Sequence, residues 1–118
     1  MQNKIIAVDF DGTLCLNMYP GIGEPRRMVI RYILNEQNTG AKLILWTNRT
    51  GEQLQEAVDW CSTQGITFDA VNENLPEIIE SFGGDCRKVF ANEYLDDRAI
   101  TPEMAVMREI HNPESLRK

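Results

Sequence analysis

Histidine is almost missing from this chain: one residue, His111, among 118. That argues against a histidine-ligated metal centre and against a Ser-His-Asp triad. Cysteine is sparse and odd in number, with Cys15, Cys61 and Cys86 at no metal-binding spacing. Reduced thiols in a cytoplasm are the simplest expectation. No apolar run approaches the ~20 residues that a membrane span requires. The short run after Lys4 leads straight into acids, so it is not read as a signal peptide. Positive charge is also scarce, with 12 Lys and Arg against 18 Asp and Glu, a net charge of −6. A broad basic surface for nucleic acid is therefore excluded, whereas a nucleotide or a phosphorylated strand end at a local basic site is not. What remains is ordinary soluble composition, 42% hydrophobic and 25% charged, expected to form a single domain over residues 1–118.

Against that background one stretch stands out, Ile5-Ile6-Ala7-Val8-Asp9-Phe10-Asp11-Gly12-Thr13-Leu14. Its apolar run reads as a buried strand over about residues 4–9. Two carboxylates follow at alternate positions, and Gly12 lets the chain turn at once. The loop from Phe10 to Glu24 carries Asn17, Pro20, Gly21 and Gly23 as turn signals. Pro25 opens a predicted helix that Gly40 ends. A second strand is predicted over Lys42–Trp46, then a helix over about Gly51–Gln64. Ile66–Val71 reads as a third strand. Asn74 is the expected cap of a helix whose Leu75, Ile78, Ile79 and Phe82 share one face. Val89-Phe90-Ala91 reads equally as a short strand or an extended loop, and Tyr94-Leu95 runs into Asp96-Asp97. Thr101 caps a last helix, with Met104 and Met107 expected in the core beside Ile110. Residues 112–118 are polar and expected to fray. Trp46, Trp60 and Cys61 read as packing residues.

Strands alternating with helices predict an α/β fold: a three-layer, doubly wound parallel sheet with helices on both faces. In such a sheet the carboxyl ends of several strands open on one crevice. Asp9, Asp11, Asp96 and Asp97 would then share it with Thr47. Two carboxylates at ~4 Å repel by ~4 kcal/mol at an effective dielectric of 20. A hard divalent cation in an all-oxygen shell relieves this, and Mg²⁺ is the usual one beside phosphate.

Asp9-Phe10-Asp11-Gly12-Thr13 resembles the first motif, DxDGT, of the haloacid dehalogenase (HAD) superfamily. Leu45-Trp46-Thr47 resembles the second, Lys88 the third-motif lysine, and Tyr94-Leu95-Asp96-Asp97 the fourth. The resemblance covers most of the chain, with the motifs in family order. It implies a HAD-type Rossmann-like fold and an Mg²⁺-dependent phosphatase acting through an aspartyl-phosphate. Asp9 would be the nucleophile, and Asp11 the group that gives and takes the proton. Thr47 would bind a phosphoryl oxygen, and Lys88 would neutralise its charge. The metal would be held by Asp9, the Asp11 carbonyl and Asp97, with Asp96 acting through water. Arg49 or Arg87 are alternative sources of the positive charge. Asn48, Arg49 and Tyr19 are the expected substrate contacts, with Met18 beside Tyr19.

Neither place where family members carry a cap domain has room for one, so a capless member is expected. Its open site would take a phosphorylated small molecule, a nucleotide or a phosphorylated macromolecule end, or be covered by a second subunit of a homo-oligomer. Two other functions fit part of the pattern. One is a phosphoacceptor module of the receiver type, although the predicted middle strands end in Thr47 or around Val71, with no suitable Asp directly after Trp46. The other is a non-catalytic binding protein that keeps the fold.

Overall fold

The computed structural model describes residues 4–112. Four strands and four helices alternate along it: β1 (Ile5–Val8), α1 (Arg27–Asn38), β2 (Lys42–Leu45), α2 (Gly51–Thr63), β3 (Ala70–Val71), α3 (Pro76–Phe82), β4 (Glu93–Leu95) and α4 (Pro102–Ile110). The fold is α/β, with one all-parallel sheet in the order β3-β2-β1-β4. β1 is flanked by strands on both sides and wholly buried, as expected of an unbroken apolar run in a parallel sheet.

Side-chain alternation divides the core in two. Ile6, Val8, Leu43 and Leu45 pack with Ile30 and Ile33 of α1 and with Ala57 and Cys61 of α2. Ile5, Ala7 and Ile44 pack with Ala70, Leu75 and Val89, and Ile78 of α3 leans on this second cluster. Phe10 and Leu14 are fully buried in the first cluster. The chain just after β1 is therefore anchored from below by apolar burial.

Several expectations are corrected. α1 begins at Arg27 rather than Pro25, because residues 24–26 are held extended against 14–16: Leu16 N–H donates to Glu24 and Arg26 N–H to Leu14. Only Ala70–Val71 of the predicted third strand joins the sheet. Ile66 closes the end of α2 by donating to Cys61, and Asp69 pairs sideways with Leu43 through its side chain at 2.9 Å. Asn74 does not cap α3, whose N-cap position is Leu75. It is buried, and donates to Asp85 Oδ1 at 2.8 Å and to the Cys86 carbonyl at 3.2 Å while its Oδ1 accepts from Phe90 N–H at 2.7 Å.

Val89–Ala91 is an extended connection, with Val89 buried and Phe90 packed edge-on to the exposed Phe82. Thr101 caps α4 as expected, accepting from Met104 N–H. The Met104 and Met107 stripe is not core: both residues and Ile110 are exposed, and α4 supplies no residue to either cluster. Of the tail expected to fray, residues 113–118 lie outside the described residues.

Candidate metal and substrate cleft

Parallel register brings the strand ends to one level. Val8 pairs with Leu45 on one side and Leu95 on the other, and Leu45 pairs with Val71. The ladder runs one step further: Asp9 N–H donates to Leu95, Trp46 N–H to Val8 and Asn72 N–H to Leu45. Asp9, Trp46, Asn72 and Asp96 thus stand side by side at the carboxyl edge of the sheet. Between β1 and β4 the strand order reverses, which is where open α/β sheets bind ligands.

At that reversal Asp9, Asp96 and Asp97 converge, each offering a carboxylate oxygen within 4.8 Å of the others. The local sequence explains the approach. Gly12 has φ +84°, and a Cβ there would run into the Asp97 carboxylate. Thr13, buried one residue on, accepts from Asp97 N–H at 3.0 Å. The glycine leaves room for Asp97 and the threonine fixes it. Asp9 is half-buried, and its carboxyl is pushed up to about 6. Burial is the main cause, partly opposed by the Phe10 N–H, and the charges of Asp96, Asp97 and Asp11 add to it. An oxygen-only donor set of this charge suits a hard divalent cation, with Asp9, Asp96 and Asp97 as the groups to hold it.

Asp11 stands outside that trio. Its two oxygens accept from Arg49, Nε to Oδ2 and Nη2 to Oδ1, each at 2.8 Å. Arg49 is 2% exposed. Its remaining N–H groups reach the carbonyls of Pro20, Gly21 and Gln53. All five donors of the guanidinium are thereby engaged within the chain. The Arg49 Cζ lies 4.9 Å from the Phe10 ring centroid and 5.1 Å from that of Tyr19. Arg49 lines the cleft, as expected, but its guanidinium also acts as a strut that ties Asp11, the loop at 19–21 and the start of α2 together.

A cleft of about 550 Å³ opens over these groups. Thr47, Asn48 and Tyr19 line it as expected, together with Asp9, Asp11, Asp96 and Asp97. Thr47 is oriented from both sides: its N–H donates to Asn72 Oδ1 at 2.8 Å, and its hydroxyl accepts from Arg49 N–H at 3.1 Å. Lys88 does not line the cleft. It is exposed, and its ammonium lies 5.7 Å from the Tyr94 ring centroid. Arg87, also exposed, is not among the lining residues either. The cation that does line it, besides Arg49, is Arg98, which sequence reasoning passed over although it directly follows the acid pair. Asn17, Asn72 and Trp46 were likewise missed as lining residues. Isolated amides carry no spacing signal, and only the folded register brings Asn72 beside Thr47.

Fold and site together define an α/β protein with a parallel sheet and an acidic cleft at its carboxyl edge. The chain is similar to a solved structure, a conserved protein from Bacteroides thetaiotaomicron. Identity is 33% over 99% of each chain, with a TM-score of 0.74. The chain belongs to the family of that conserved protein. No family model matches it, and no curated protein does.

Proposed function

We propose that this protein is an Mg²⁺-dependent phosphohydrolase of the HAD type, a phosphatase working through an aspartyl-phosphate on Asp9. The observation that carries this reading is the meeting of Asp9 with Asp96 and Asp97 beneath an open cleft. In it, an Asp9 oxygen attacks phosphorus and the ester oxygen leaves; water then cleaves the acyl phosphate and regenerates Asp9. A divalent cation held by Asp9, Asp96 and Asp97 supplies charge neutralisation for the phosphoryl oxygens. Thr47 lines the same cleft and offers its hydroxyl to a phosphoryl oxygen, and Arg98 adds positive charge there in place of Lys88. Proton transfer falls to Asp11, through the lone pairs that the Arg49 fork leaves free.

The fold completes the reading as a three-layer, doubly wound, capless HAD-type domain. The two-sided core and the plain loop between Asp11 and α1 support this. A phosphorylated metabolite, nucleotide or macromolecule end is the substrate class, taken in a reducing cytoplasm that suits three free cysteines. A second subunit closing over the cleft belongs to the same reading. The receiver-type alternative needs an acid at the exit of β2, where Trp46 and Thr47 stand.

The test is hydrolysis of p-nitrophenyl phosphate with Mg²⁺ and with a chelator, in wild type and in Asp9→Asn. Turnover that requires both Mg²⁺ and Asp9 is expected. Equal turnover in Asp9→Asn removes the aspartyl-phosphate. A stable phosphoprotein without turnover favours the receiver type, and no response to Mg²⁺ or phosphate favours a binding protein.

A further inference from the structure

Phe10, Arg49 and Tyr19 form a layered stack that begins in the core and ends in the cleft. Trp60 meets Phe10 edge-on at 5.6 Å, the Arg49 guanidinium lies over both the Phe10 ring and the Tyr19 ring, and Tyr19 remains 59% exposed. An exposed tyrosine on a surface loop is ordinarily a mobile side chain. Here its ring rests on a guanidinium whose every donor is engaged, two of them by Pro20 and Gly21 in Tyr19's own loop. The ring is thus held in place at low entropic cost to a ligand. A fixed aromatic face at the mouth of a cleft accepts another planar ring by stacking.

The polar rim is biased towards donors. Asn17 Oδ1 accepts from Tyr19 N–H, and Asn72 Oδ1 accepts from Thr47 N–H. Each amide therefore turns its NH₂ group away from the backbone that holds it. Arg98 makes no ion pair with another side chain among the described residues. A ligand complementary to this cleft is planar and aromatic at one end, rich in acceptors along its edge, and anionic. The cleft's volume lies in the range that holds such a molecule.

We propose that the ligand class of this cleft is a nucleotide, with its base on the Tyr19 ring, base acceptors on the Asn17 and Asn72 amides, and its phosphate towards Asp9 and Thr47. This rests on the phosphohydrolase reading only for where the phosphate sits. The experiment is calorimetric binding to the Asp9→Asn protein with Mg²⁺, using adenosine and uridine 5′-monophosphates against ribose 5-phosphate, in the Tyr19, Tyr19→Ala and Tyr19→Phe backgrounds. The nucleotides should bind about tenfold tighter than ribose 5-phosphate. Tyr19→Ala should remove that advantage and Tyr19→Phe keep it, while ribose 5-phosphate is unchanged in all three. Equal affinity for sugar phosphate and nucleotide, indifference to Tyr19→Ala, or no nucleotide binding at millimolar concentration overturns the proposal. Tyr19-dependent binding without hydrolysis of either nucleotide by wild type with Mg²⁺ supports it and overturns the phosphohydrolase reading alone.

Discussion

Arg49 spends its Nε and one Nη2 hydrogen on the two oxygens of Asp11, and no donor of its guanidinium is left for solvent. Its side chain is 1% exposed and that of Asp11 17%. Breaking such a pair by removing one partner typically costs 3–5 kcal/mol, because the other is left charged and unsatisfied. Arg49→Met should therefore lower unfolding stability by ~3 kcal/mol or more in urea denaturation. The double variant with Asp11→Asn should lose less than the sum of the single changes. Additive losses would mean that the fork contributes nothing.

Gly12 is the second sensitive point. Alanine there meets both a φ of +84° and the Asp97 carboxylate. Strain of this kind costs on the order of 1–3 kcal/mol. Gly12→Ala should also displace Asp97 and weaken Mg²⁺ binding by tenfold or more in titration calorimetry. Wild-type affinity in this variant would show that Asp97 does not hold the ion.

Acidity gives a third test, because the Asp9 carboxyl is raised from 3.8 to about 6. A carboxyl whose value is higher folded than unfolded binds extra protons in the native state. Its contribution to stability is fully present below about 4 and is lost as pH rises through about 6. In the presence of a chelator, the wild type should lose on the order of 2 kcal/mol relative to Asp9→Asn between these limits. Mg²⁺ at pH 7 should restore the wild type by mass action and leave Asp9→Asn nearly unmoved. Thermal denaturation of both proteins at pH 4 and pH 7 checks the sign. A gap that widens towards low pH would contradict it.

Asn74 supplies the fourth. It is 2% exposed, and its side chain makes three hydrogen bonds to residues 85–90. Asn74→Leu removes the side-chain partners of the Phe90 N–H and the Asp85 carboxylate, at about 0.5–1.5 kcal/mol for each hydrogen bond lost. Hydrogen exchange should rise at Phe90 and through the 83–90 connection, while β1 stays protected. Unchanged exchange at Phe90 would show that Asn74 is not what holds that segment.

The sequence made β1, β2, α2 and the acid trio legible for one reason: their signals are local. An unbroken apolar run, a helical period and paired acids after a strand are read within a few residues of themselves. What escaped depends on distant partners. Asn74 looked like a helix cap because Asn caps helices, and its true partners lie at 85–90. Arg49 was placed at the site from the sequence, but only folding shows that Pro20, Gly21 and Gln53 share its donors with Asp11. Met104 and Met107 have helical spacing whether or not anything packs on them. Lys88 matched by order along the chain, yet the turn after Asp85 carries it to the outside beside Tyr94.

The spacing between Asp9 and Asp96 is set by the sheet, whereas the loop residues Gly12 and Thr13 seat only Asp97. Asp9 and Asp96 leave neighbouring strands at the same rung, so their backbones are held at the ~4.8 Å interval of adjacent β-strands. Insertions in the connections can reshape the mouth of the cleft without disturbing that interval. A single-residue slide of β4 against β1 would turn Asp96 to the opposite side and dissolve the trio in one step.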